Sequence, residues 1–446
     1  DSLVAAEDTN VGNESVDIQQ QEPVEISELE TTENNDLSKS SESITVDESI
    51  AEDILATQAD TAVVVGTVSD YLTAKGDAKL YNINLPAGVY LQAQLTTPAN
   101  ADLDYDLYLL DAEGNILTGS DYYTYINGTA GTLPEALGYI TSGDTATYYL
   151  YVLASEGGSV SESFTLDYSV STACDSYEID ESVRQALAFT YGAGGAYIES
   201  RNLSSPIDND WYVITVPSSR IYDKLKISAT TASTNTCSVE VYQNVASEGY
   251  QMKRVGSGNT ISVSSGKYYI RVSNAKTMEN FDDLDIQNYK LSITPILKAT
   301  GIVITDLKGS EGLNKVVNYP GYGAHFRTQG SGTLTVYGVL TATDSSTGVT
   351  YAVGGEQING LYYSPAWEAN NTSANAIRRG TGTTDSSGKF EIDISLPPGI
   401  GVYSYYGSTS THYFDICGVS VSPSDDSSIS ASETIFHLAY TMYHPF

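Results

Sequence analysis

DNDWYVITVP, residues 208–217, is the stretch on which the fold reading turns: two acids, then a run of aromatic and β-branched residues, then a proline. That composition is a strand with a definite beginning and end. DAKLYNINLP, residues 77–86, has the same layout. The likeness continues in order: VYLQAQLTT (89–97) answers to KLKISATT (224–231), YDLYLLD (105–111) to SVEVYQN (238–244), ATYYLYVLAS (146–155) to GKYYIRVSNA (266–275), and SFTLDYSV (163–170) to NYKLSITP (288–295). Five segments matched in one order, 120–135 residues apart, point to two copies of one domain, 61–172 and 173–297.

The segments alternate polar and apolar residues with a period of two, and Gly, Pro, Asn and Asp separate them. AEGN (112–115) is a good hairpin turn. Tyr is abundant (35), Met scarce (3), and no long segment keeps a helical period. The expected fold class is therefore all-β, in tandem β-sandwiches of jelly-roll or immunoglobulin-like type. A chain of 446 residues also exceeds one ordinary core. Residues 298–446 supply a third block with its own pattern: a hairpin around SSTG (345–348), then TTDSSGKFEIDISLPPG (383–399), then IFHLAYTMYHPF (435–446) as a last strand. We expect a separate sandwich there.

Residues 1–60 differ in kind. They hold 17 Asp and Glu against the single Lys39, a charge of −16 out of −35, which leaves −19 for the other 386 residues. Almost without aromatics, this segment cannot bury enough apolar surface to offset the entropy of ordering, so it reads as a tail or as a donor segment held by a partner. Both portions are acidic, which argues against nucleic acid, whose binding needs a basic stripe. No apolar run approaches the roughly 20 residues that span a bilayer. The sequence starts at Asp1 without a Met, consistent with a processed, exported protein. Cys174, Cys237 and Cys417 are too few for a disulfide scaffold. Cys174 and Cys237 fall in one domain and are a candidate pair in an oxidising compartment; buried free thiols are the alternative.

The acids are the candidate chemistry. Asp175, Glu178 and Asp180 precede a short helix-like piece, and Asp208 and Asp210 open the strand quoted first. In an extended chain, residues 208 and 210 project to the same side. Calcium takes six to eight oxygen ligands in an adaptable shell, and such a group of carboxylates suits it. The competing reading is a solvated acidic turn that caps the helix. Asp102, Asp104 and Asp106 alternate with Leu103, Tyr105 and Leu107. They are either a further cation site or the polar outer face of a half-buried strand.

DSYEIDES (175–182) with DNDWYVITVP, LDYDLYLLDAEGN (103–115) and the GKYYIRV and ATYYLYV strands together resemble bacterial pre-peptidase C-terminal domains, small β-sandwiches on secreted proteases and other exported proteins. The resemblance covers roughly half the chain and is better in the second copy. Residues 383–399 are more weakly similar to bacterial immunoglobulin-like or transthyretin-like modules. The first resemblance implies calcium, which some members bind through an acidic N-terminal segment folded against a DxD strand. Carried over by position, the ligands are Asp175, Glu178, Asp208 and Asp210, while Asp180 stands where the family often has Asn. The first copy lacks the DSYE leader and opens its strand with Asp77 and no second acid.

Catalysis finds no foothold in the sequence. His325, His412, His437 and His444 form no HExxH pair and read as scattered surface or core residues, and no GxSxG elbow is present. Tyr122, Tyr123 and Tyr125, and Tyr362, Tyr363 and Trp367, fall in expected loops, where they either stack on sugars and partners or cover the ends of a core. The expectation is a secreted or cell-surface protein without a catalytic site, binding a protein or a glycan. The alternative is a subunit of an extracellular filament or surface layer that self-associates through residues 1–65, where TAVVV (61–65) is apolar enough to donate part of a strand. A hydrolase is the third reading.

Overall fold

The computed structural model describes residues 41–43 and 63–444, except 101, 122, 127–128, 131–132, 173, 232–236, 246–250, 258, 276–286, 311–312, 320–322, 329, 370–375, 400, 407–408 and 414. The rest of the N-terminal segment lies outside the described residues. Those described are almost wholly β, as the alternation predicts. They fall into two compact units, one with residues 41–43, 63–218 and 224–296 and the other with 219–223 and 297–444.

The first unit opens with β1 (Ser41–Ser43), β2 (Val63–Asp70), β3 (Ala78–Leu85), β4 (Tyr90–Thr96), β5 (Asp104–Leu110), β6 (Ile116–Ser120), β7 (Tyr123–Ile126) and β8 (Thr129–Ala130). β9 (Glu135–Ile140), β10 (Ala146–Glu156) and β11 (Phe164–Ser171) complete this part. It continues through β12 (Leu187–Ala188), β13 (Ala196–Leu203), β14 (Asn209–Val216), β15 (Tyr222–Thr231) and β16 (Cys237–Asn244). β17 (Gln251–Ser257), β18 (Thr260–Ser262), β19 (Gly266–Asn274) and β20 (Gln287–Leu297) follow.

One sheet runs β3-β10-β5-β6 and its counterpart β14-β19-β16-β17; the facing sheets run β2-β11-β4-β9 and β13-β20-β15-β18. The two halves are thus strand for strand the same, and the five sequence segments matched above occupy equivalent places. Alternation decides which face is core. In β4, Leu91, Ala93 and Leu95 enter the core with Tyr81, Leu107, Leu150 and Phe164, each fully buried Leu or Phe side chain contributing about 1.5–3 kcal/mol.

Strand addition joins the two halves. β7 lies parallel to β17, with Gln251 opposite Tyr123, so a hairpin from the first half extends the sheet of the second. Leu133 of the first half is buried in a cluster with Val183, Trp211, Tyr242 and Met252 of the second. At the outer edge of β3, β1 is added in parallel.

Several expectations need correction. Val63–Val65, read as material for a donor strand, pair with β11 of their own sheet. The helix-like piece after the acids is one 3₁₀ turn, Val183–Gln185, too short to hold the acids as a helix cap. Asp106 is no outer-face residue open to water: it is 7% exposed, with Ser155 Oγ donating to it from 3.2 Å and Tyr108 Oη from 3.3 Å. All three cysteines are free; Cys174 is exposed and Cys417 buried. The side chains of Tyr122, Tyr123 and Tyr125 lie outside the described residues.

The second unit holds β21 (Gly301–Gly309), β22 (Asn314–Tyr319), β23 (Gly323–Arg327), β24 (Gly332–Thr343), β25 (Thr350–Ala352), β26 (Gln357–Tyr363), β27 (Ile377–Thr383) and β28 (Lys389–Leu396). β29 (Gly401–Tyr406), β30 (Thr409–Tyr413), β31 (Ile416–Pro423) and β32 (Ala431–His444) end it. β24 sits between β21 and β28 and also pairs with β25 across the SSTG turn, while β22-β23-β32-β31-β26-β27 form the larger sheet. Tyr362 and Tyr363 belong to β26 rather than to a loop, and Tyr362 is fully buried. Trp367 lies in a short helix, Pro365–Ala369. No helix among the described residues is long and apolar enough to cross a membrane.

Candidate metal centre

The site is built on the outer face of β4 and β9. Tyr90, Gln92 and Gln94 alternate with the core residues of β4 and therefore point away from the core. Gln92 stands opposite Gly138 on β9, where the missing side chain leaves room. Residues 175–182 of the second half lie in that space: a Cβ on Gly138 would come within 2.6 Å of Glu181 Cγ and 2.8 Å of Ile179 Cγ2. Gln92 is 1% exposed and Tyr90 likewise, although both are on the polar face of their strand.

All five sequence-predicted acids are brought together here, and two residues that the sequence reading passed over join them: Glu181 and Arg201. Arg201 on β13 is fully buried and takes three of the carboxylates. Its Nη1 donates to Asp175 Oδ1 at 2.5 Å, its Nη2 donates to Asp180 Oδ2, and the same Nη2 lies 3.0 Å from Asp210 Oδ1. Its Nε donates to Tyr212 Oη at 2.7 Å, and Tyr177 and Tyr212 present their ring faces to the guanidinium. Asp175 also accepts from the backbone N–H of Tyr177 and Asn202, at 2.7 and 2.9 Å. Tyr289 Oη donates to Asp210 Oδ2. This half of the cluster carries its own cation.

The other half has none among the described residues. Glu178, Glu181 and Asp208 each offer an oxygen within 4.8 Å of the others. Asp208 and Glu181 are 0% and 1% exposed. Tyr90 Oη donates to Glu178 Oε2 at 2.7 Å and also to Glu181 Oε1, which Gln92 Nε2 reaches at 2.7 Å; Asn209 N–H donates to Glu181 Oε2 at 3.0 Å. Ser204 N–H donates to Asp208 Oδ2. Glu178 Oε1, Asp208 Oδ1, Asp180 Oδ1, Gln92 Oε1 and Ser204 Oγ have no hydrogen-bond partner and no contact with solvent.

A buried carboxylate lacking a counter-charge is costly, and it responds by holding its proton. Burial first, and then the neighbouring carboxylates, push Glu178 and Glu181 well above the ordinary range, and burial also raises Asp208 despite the N–H of Ser204. Burial raises Asp180 and Asp210 as well, against the pull of Arg201. Burial and mutual repulsion thus favour the protonated form of all three acids.

Asp208 and Asp210, expected to project to the same side of one strand, do not do so, because β14 begins only at Asn209. Asp210 turns to Arg201, and Asp208, in the turn before β14, turns to Glu178 and Glu181. Arg201 and Glu181 had no motif of their own, and only the pairing of β13 with β20 and the docking of residues 175–182 bring them in.

No family model matches the chain. A stretch of 74 residues, 17% of this chain, is 36% identical to "Uncharacterized protein YlqB" of Bacillus subtilis (strain 168), of which it covers 46%. The chain thus matches about half the length of that relative. Among solved structures, the CUB1-EGF-CUB2 domain of human MASP-1/3 overlaps 52% of this chain and 99% of its own, at 10% identity and a TM-score of 0.15. The N-terminal CBM22-1-CBM22-2 tandem domain of Paenibacillus barcinonensis Xyn10C overlaps 53% and 91%, at 11% identity and a TM-score of 0.16. Overlaps at this level identify neither a fold family nor a ligand.

Proposed function

We propose that this chain is an exported, non-catalytic protein of tandem β-sandwiches, related to the pre-peptidase C-terminal domains it resembles. A calcium ion bound by Glu178, Glu181 and Asp208 would hold its first two sandwiches together. One observation carries this reading: six acids share a single buried arginine, and that arginine engages only Asp175, Asp180 and Asp210. The donor set suits calcium, since the three carboxylates supply oxygen alone. Gln92 and Tyr90 come from the first sandwich and the acids from the second, so the ion would act as a clamp. The rigid pair would then present its loops and sheet edges to a protein or glycan partner outside the cell.

The test is thermal melting of the full chain with calcium and with chelator. At calcium about 100-fold above Kd, binding to the folded state alone contributes about 2.7 kcal/mol, a rise of roughly 5–10 °C for a unit of this size. A Glu181→Gln, Asp208→Asn variant should melt higher than the natural protein in chelator, because folding no longer has to desolvate or protonate two buried acids, and should ignore calcium. An unchanged melting point in the natural protein, or a calcium response retained in the variant, would remove the site.

A further inference from the structure

The second unit contains another cluster of ligating side chains, unrelated to the first and formed by the central strands of its larger sheet. Cys417 is the second residue of β31, Tyr362 lies on β26 beside it, and His437 lies on β32 on the other side. Asp415 immediately precedes β31, and its carbonyl accepts from the His437 N–H at 3.0 Å. Asp415, Cys417 and His437 each offer one ligand atom within 4.8 Å of the others, and all three are buried, at 1%, 1% and 0% exposure. Tyr362 Oη bridges them, 3.1 Å from Cys417 Sγ and 2.8 Å from His437 Nδ1.

Hydrogen bonding does not complete this arrangement. Ser364 Oγ donates to Asp415, within 3.0 Å of both carboxylate oxygens, yet among the described residues no Lys or Arg pairs with that carboxylate. His437 Nε2 has no partner. A neutral imidazole has one ring nitrogen with a lone pair to give. Buried charges in proteins are paired or bind metals, and a thiol, an imidazole and a carboxylate form a borderline-soft donor set. That set suits zinc, and cobalt in its place, far better than calcium.

We propose that Asp415, Cys417 and His437 form a structural zinc site inside the C-terminal unit, with the Tyr362 oxygen at the fourth position. Binding forms metal–sulfur, metal–nitrogen and metal–oxygen bonds, and the Cys417 thiol proton passes to water. The tyrosine keeps its proton. The metal would enter as the unit folds, since all the ligands are out of reach of solvent afterwards.

The test exploits the count of cysteines. In a Cys174→Ser, Cys237→Ser variant of the full chain, Cys417 is the one remaining thiol. Produced in cobalt-supplemented medium, this variant should retain cobalt through gel filtration and show a thiolate-to-cobalt charge-transfer absorption in the near ultraviolet. Adding His437→Gln should weaken or abolish that band. Protein that emerges free of cobalt, or cobalt bound with no thiolate band, overturns the proposal. The oxygen-only site of the first unit cannot produce such a band, so the two sites are told apart in one spectrum.

Discussion

Asp104 and Asp106 sit on β5 two residues apart, and burial takes from them most of the water an exposed aspartate keeps. Burial followed by the charge of Asp104 lifts Asp106 to about 7, and burial lifts Asp104 to about 6. The sign follows from proton counting. Between about pH 4 and 7 the folded chain holds a proton on Asp106 that the unfolded chain has released, so stability is full below the unfolded value and is lost as pH rises through 7. A displacement of that size is worth at most ~4 kcal/mol. We therefore expect Asp106→Asn to gain stability over the natural protein as pH climbs from 5 to 8, read from urea midpoints; a difference constant with pH would contradict it. At this scale the sequence was half legible. Alternation put the three acids on one face, but the cover that Tyr108 and Ser155 give comes from side chains whose direction alternation alone does not reveal. Arg201 was illegible for a related reason: an arginine in SRN carries no sign of the three acids that strand pairing will bring to it.

Strands were the most legible elements, because a half-buried strand writes its period into its composition. β24 alternates buried and half-buried residues, and β28 buried and exposed ones, along almost their whole length, as GTLTVYGVLTAT and KFEIDISL suggest. What the period leaves open is whether the polar side of a strand meets water or another element. β4 shows the difference, since its polar side meets residues 175–182 and Gly138 is the reason they fit. A methyl group on Gly138 would stand 2.6–2.8 Å from Glu181, Ile179 and Tyr90, closer than buried side chains tolerate. Gly138→Ala should cost about 1–3 kcal/mol, the usual range for overpacking, and should also blunt the calcium-dependent rise in melting temperature by displacing Glu181. A variant that loses stability yet responds to calcium like the natural protein would show that the leader has moved without disturbing the ligands.

Across the first unit, three kinds of contact tie the two sandwiches: β7 added to β17, Leu133 buried among Val183, Trp211 and Met252, and Tyr90 with Gln92 against Glu178 and Glu181. The pair Arg184–Asp121 adds a half-exposed ion pair of small worth. Only the third contact gathers acids without a basic partner among the described residues, so on the proposed reading it is the one whose strength a cation would change. With three acids protonated the joint closes as neutral groups; with them ionised and no metal it is repelled from within. Amide hydrogen exchange resolves this because it reports local opening. Calcium should slow exchange at Gln92 and its partners on β4 and β9 together with Glu181 and Asn209, since opening the joint removes ligands from both sides. If calcium slows the amides of residues 178–210 and leaves those of β4 and β9 unchanged, the ion belongs to the second sandwich alone and does not clamp the pair.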